Sequence, residues 1–128
     1  MKKLKILVLD CNPIIHIGLK SIFKNSMIFE VCAYLDAKNL LIETIGEEKI
    51  DLIISEIDLN GSSAQDILRI LKKNKIDIPV VIFTSLSNEI KSLKLLKKGA
   101  SGFLTKNLKK KTIRPVSYTH LRAHETGY

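Results

Sequence analysis

Short apolar runs alternate with helical periodicity along most of the chain. The runs are residues 4–9 (LKILVL), 27–34, 51–55 (DLIIS), 79–84 (PVVIFT) and 101–105 (SGFLT). Leu-Ile-Ile and Val-Val-Ile-Phe are almost continuously apolar, as strands are when helices cover both faces of their sheet. Between them, Asn12-Pro13 is an N-cap followed by a first-turn proline, and Ile15, Leu19, Ile22 and Phe23 then share one helical face. Asp36 is expected to cap a second helix that turns Leu41 and Ile45 inward. Ser63, with Asp66 three residues later, opens a third with Ile67, Ile70 and Leu71 inward. Ser87 precedes a fourth, with Ile90, Leu93 and Leu96 expected inward and Gly99 as its stop. Strand and helix therefore alternate through five strands, which predicts an α/β fold with a parallel sheet and right-handed crossovers.

The pattern fails near the end. Residues 108–113 begin a fifth helix that Pro115 interrupts, and the following VSYTHLRAHETGY has no apolar periodicity. Residues 116–126 resemble, position for position, the translation of a sequencing-library transposon end. Residues 115–128 are therefore set aside as a non-native tail, and 1–114 as one folded domain with an incomplete fifth helix. Such a gap is expected to leave apolar sheet surface uncovered and to lower stability.

Composition changes little. With 128 residues, 45% apolar and 27% charged, the chain is large enough for one core and is not compositionally disordered. No stretch approaches the roughly 18 continuous apolar residues of a membrane span. Asp10 ends the first apolar run too early for a signal peptide. Two cysteines without metal-type spacing suggest a reducing, cytoplasmic setting. Charge is more informative: the net is +8, and residues 91–114 hold nine basic residues and no acid. That run reads either as a surface for an acidic partner or nucleic acid, or as a solvated lysine-rich helix face.

In an open parallel sheet, ligands gather at the carboxyl ends of the strands. The polar residues there are Asp10 and Cys11 after the first strand, Glu56 and Asp58 after the third, Thr84 and Ser85 at the fourth, and Lys106 after the fifth. Acids, a hydroxyl and an amine from distant segments should meet in one crevice. His16 reads as surface and Cys32 as core.

At these residues the chain resembles the receiver domain of two-component response regulators. ILVLDCNPIIHIGLKSIF, DLIISEIDLNG, PVVIFTS and KKGASGFLTKN match its successive blocks, and NPIIHIGLKSI is most similar to the NarL-like subfamily. The resemblance implies strand order 2-1-3-4-5 and a phosphoryl group accepted by an aspartate after the third strand. It implies magnesium held by an acid pair after the first strand, with a hydroxyl, a lysine and an aromatic side chain as switch residues. Asp10 matches the first acid, Thr84 the hydroxyl, Lys106 the lysine and Phe103 the aromatic, while Asp58 would lend magnesium its backbone carbonyl. The match departs at Cys11, which stands at the second acid, and at Glu56, which stands at the phosphoacceptor. Asn60 also replaces a proline, and Asn107 follows the lysine. Register excludes Asp58 as a displaced acceptor, because the block aligns without a gap only with Glu56 there.

Those departures have physical consequences. Magnesium demands oxygen ligands, and a thiol with a pKa of about 8.5 replaces a carboxylate poorly. The longer Glu56 shifts its attacking oxygen by on the order of 1 Å, and such displacements cost about a hundredfold. Magnesium binding and phosphorylation are therefore expected to be weakened. Glu56, paired with Lys106 and bonded by Thr84, would either mimic the phosphorylated state or mark a degenerate site. Cys11 reads as a quiet thiol rather than a redox or soft-metal residue. The implied function is a non-enzymatic signalling module addressed by a sensor histidine kinase or another signalling protein. Its output face, and the seat of a homodimer, would be the fourth helix, fifth strand and fifth helix, with Lys91, Lys94, Lys97 and Lys98 on or near it. DNA would be bound only through a missing output domain. The alternatives are a stand-alone, phosphorylation-independent adaptor and a small phosphotransfer or hydrolase activity using Glu56.

Overall fold

A computed structural model describes residues 2–106. Five strands form a parallel sheet in the order β2-β1-β3-β6-β7: β1 (Leu4–Leu9), β2 (Phe29–Leu35), β3 (Leu52–Ser55), β6 (Val80–Thr84) and β7 (Gly102–Thr105). Once a small hairpin (β4, Asp58–Leu59; β5, Ser62–Ser63) is set aside, this is the predicted order 2-1-3-4-5. Four helices connect the strands: α1 (Pro13–Ile22), α2 (Leu41–Glu48), α3 (Ala64–Lys73) and α4 (Glu89–Lys97). The expected fifth helix, the tail and any uncovered sheet surface there lie outside the described residues.

The continuous apolar runs are explained by two cores. On one face Ile6, Val8, Leu52, Ile54, Val81 and Phe83 pack with Leu19 of α1 and with Phe23, which caps it. On the other, Leu7, Leu9, Ile53 and Ile82 pack under Leu41 and Ile45 of α2, Ile67 and Leu71 of α3, and Leu95 of α4. Successive side chains of one strand thus enter different cores, so the central positions of each run are apolar whichever way they point.

Local signals hold where side chains close them. Asn12 accepts from the Ile14 N–H at 3.0 Å, and Pro13 follows it in the first turn of α1. Ser63 and Asp66 form the reciprocal cap of α3, at 3.1 and 3.3 Å. Gly99 closes α4 at φ +115°, a left-handed conformation that costs glycine little.

Three expectations are corrected. β2 starts at Phe29, and Met27 is 80% exposed. Asp36 does not cap α2; the helix starts after Leu40, which takes φ +65° without a side-chain cap. Asp36 instead receives the Asn60 amide at 2.9 Å through its side chain and the Asn60 N–H at 2.9 Å through its carbonyl. A long-range tie has outcompeted the local one. In α4, Ile90 and Leu93 are exposed at 71% and 48%, while Ser92 and Leu95 are buried. A 3-10 turn (Leu86–Asn88) precedes the helix, so Ser87 is not its cap. The Asn88 amide donates to Thr84 Oγ1 at 2.9 Å, and its carbonyl receives Ser92 Oγ at 3.0 Å. With Leu95 packed in the core, α4 is rotated so that Ser92 also faces in.

Candidate functional site

The sheet ladder itself delivers the site residues. Beyond the last paired residue of each strand, one further backbone bond reaches across. Asp10 N–H donates to the Leu35 carbonyl at 3.1 Å, Glu56 N–H to Leu9 at 2.8 Å and Lys106 N–H to Thr84 at 2.8 Å. Asp10, Glu56 and Lys106 are therefore placed by parallel register, at the common carboxyl edge of the sheet.

Their side chains converge. Lys106 Nζ donates to Glu56 Oε1 at 2.9 Å. The same ammonium lies 2.9 Å from Asp10 Oδ2 as an ion pair. Among the described residues Oδ2 has no other partner. Asp10 is 3% exposed, so this contact is the main compensation for that oxygen's charge. The other oxygens are committed: Asp10 Oδ1 accepts the Asn12 N–H at 2.8 Å and Glu56 Oε2 the Ile57 N–H at 2.6 Å. Burial pulls the Lys106 ammonium towards neutrality, but the bonds and charges of Glu56 and Asp10 outweigh it and raise its pKa above the ordinary lysine value.

Cys11 is exposed, and its thiol donates to the Asp58 carbonyl at 3.6 Å. Its pKa is raised, first by desolvation and then by Asp10, Asp36, Asp58 and Glu56. The thiol is thus held protonated. It caps the very carbonyl that the family pattern offers to magnesium. Among the described residues no group of three His, Cys, Asp or Glu side chains is disposed to hold a metal ion. Two carboxylates sharing one ammonium, one thiol and one occupied carbonyl do not fit a hard divalent cation.

Thr84 is buried at the end of β6, but its hydroxyl accepts from Asn88 rather than donating to Glu56. Phe103 is half-buried on β7, opposite Ile82, and packs on the α2–α3–α4 side. His16 is half-buried rather than wholly at the surface. It stacks on Tyr34 with ring centroids 5.0 Å apart, and burial, then Lys20, lowers its pKa. Cys32 is partly buried against the core of that same α2–α3–α4 side.

Two contributors were missed in the sequence. Tyr34 donates its hydroxyl to the Asp10 carbonyl at 2.7 Å and so braces the loop after β1. Asn88 orients Thr84. Tyr34 has no local signature because it acts 24 residues away, whereas Asn88 lies four residues from Thr84 in a turn that no pattern singles out. The β4–β5 hairpin was missed too, although Asn60-Gly61, with Gly61 at φ +67°, is a turn signal that was available.

Comparison with known proteins agrees with this geometry. Residues 6–116 match the family model described as response regulator receiver domain. A nitrate/nitrite response regulator protein homolog of Haemophilus influenzae is 28% identical over 111 residues, covering 87% of this chain and 53% of its own length. The Fimbriae Z protein of Escherichia coli K12 is 24% identical over 106 residues, covering 83% of this chain and 50% of its own. The chain thus spans about half the length of these curated relatives. Full-length FixJ from B. japonicum superposes with a TM-score of 0.85 at 21% identity, over 98% of this chain and 61% of that one.

Proposed function

Because the chain belongs to the response regulator receiver family of two-component signalling, we propose that it is a receiver whose phosphorylation is impaired and whose charge balance is set internally. The observation that carries this reading is the Lys106 ammonium held 2.9 Å from both Glu56 and Asp10. In a phosphorylatable site the carboxylate after β3 must be free to attack. Here its two oxygens are engaged by Lys106 and by the Ile57 N–H. Losing the second acid to Cys11 weakens magnesium binding, and positioning plus charge neutralisation is most of phosphoryl-transfer catalysis. No step is therefore assigned to a metal in this chain.

Signal would pass through a protein contact rather than a covalent label, between a sensor histidine kinase or other signalling protein and an output region. In this reading the output region is that of a DNA-binding regulator, and the curated relatives, about twice as long, leave room for one. Homodimerisation through the α4–β7 side and a cytoplasmic location are part of the same reading. Among the described residues no helix is long and apolar enough to cross a membrane.

The test is incubation with acetyl phosphate and magnesium, followed by intact mass. The expected result is no added phosphoryl mass on this chain and labelling of the Cys11→Asp, Glu56→Asp double variant. Stoichiometric labelling of the unaltered chain would overturn the reading.

A further inference from the structure

The face between α3 and α4 carries a feature that the acid site does not use. A depression of about 620 Å³ lies between the C-terminal ends of the two helices. It continues into two smaller ones through the shared lining residues Gln65, Leu68, Lys72 and Lys98. Together they form a groove whose floor includes Leu68, Leu71 and Leu95. Its walls carry Arg69, Lys72, Lys75, Lys94 and Lys98. Lys91, Lys94 and Lys98, expected on or near the α4–β7 side, line it on the side towards α3.

Cations outnumber acids along the described lining: Asp77 is its one carboxylate residue, against Arg69, Lys72, Lys75, Lys91, Lys94, Lys97 and Lys98. The ion pairs found among the described residues are Arg69–Asp66, Lys106–Asp10 and Lys106–Glu56. Among the described residues, Arg69 of these walls lies 3.4 Å from the Asp66 carboxylate, largely in solvent. Across the groove, Lys98 Nζ and Arg69 Nη2 both approach the Gln65 amide oxygen at 2.8 Å, once that amide is oriented towards them. One neutral oxygen thus holds two cations side by side. Lysines in the last turn of a helix offset its dipole, but two half-charges do not balance this cluster.

We propose that the α3–α4 groove binds an acidic amphipathic segment of a protein partner. The apolar floor seats its hydrophobic side chains, and the basic walls pair with its carboxylates. The floor favours this occupant over nucleic acid. Single-stranded nucleic acid is gripped by aromatic stacking beside basic residues, and among the described residues no aromatic side chain lines these depressions.

The test is fluorescence anisotropy on the full chain with three labelled probes of equal charge. They are a Glu/Leu peptide with leucines at helical spacing, a Glu/Ser peptide, and a single-stranded DNA oligonucleotide. The Glu/Leu peptide is expected to bind at least about tenfold more tightly than the other two. Lys72→Glu with Lys98→Glu should weaken it by about tenfold or more, while Lys20→Glu on α1 should leave it unchanged. All three positions are exposed, and far-UV circular dichroism verifies folding. Absence of Glu/Leu binding, equal binding of either other probe, or an equal loss in Lys20→Glu would each overturn the proposal.

Discussion

Replacing Lys106 by methionine removes the cation between two carboxylates and keeps the length of the apolar stem. Asp10 Oδ2 would then be buried with no partner at all. Removing one member of a buried pair costs about 3–5 kcal/mol, whereas an exposed pair is worth about 0–1 kcal/mol. The Lys106 side chain is 25% exposed against 4% for Asp10, so screening is partial and the lower end, about 3 kcal/mol, is expected. At about 4 °C per kcal/mol for a domain of this size, Tm should fall by on the order of 10 °C. Urea denaturation followed by circular dichroism measures the deficit. Adding Glu56→Gln to Lys106→Met should recover at least about 1 kcal/mol, because one of the stranded charges is removed. The pH dependence has a definite sign. The ammonium pKa is raised on folding, so its contribution is fully present below the ordinary lysine value of 10.5 and is lost as pH rises through the higher folded value. The gap between the unaltered chain and Lys106→Met should be flat near neutrality and close only in strong alkali. A neutral-pH deficit below about 1 kcal/mol, with no coupling to Glu56, would refute the reasoning and mark the pair as solvent-screened.

Two further outcomes follow from the structure. Leu95→Ala should cost about 2–5 kcal/mol and Ile90→Ser within about 0.5 kcal/mol by urea denaturation, because of these two apolar side chains of α4 only Leu95 is buried. Equal costs would contradict the rotation of that helix. Cys11 should alkylate with iodoacetamide more slowly than free cysteine at pH 8 despite its exposure, and Glu56→Gln should speed it, since desolvation and then acids including Glu56 hold the thiol protonated. A rate at or above that of free cysteine would be inconsistent with this environment.

What the sequence determined by itself was the architecture. Continuous runs such as Leu-Ile-Ile and Val-Val-Ile-Phe require two covered faces, and the alternation with helical periodicity leaves few topologies. Caps closed by near neighbours, at Asn12 and at Ser63 with Asp66, were equally legible. Once strand order was assigned, Asp10, Glu56 and Lys106 at the strand ends followed from parallel register.

Tertiary structure decided everything that depends on partners far along the chain. Asp36 has the composition of a helix cap but spends its oxygens on Asn60, 24 residues away. Helix α4 offers apolar side chains on more than one side, so periodicity could not choose its buried face. Packing of Leu95 into the core beneath α3 and α4 did, and the short-range Asn88 bonds to Thr84 and Ser92 accompany it. The same competition took Thr84 away from Glu56, and it brought the Cys11 thiol onto the Asp58 carbonyl. Propensity and periodicity are summed over nearest neighbours. The orientation of a helix and the partner of a buried polar atom are set by which distant group completes its hydrogen bonds at the least cost in desolvation.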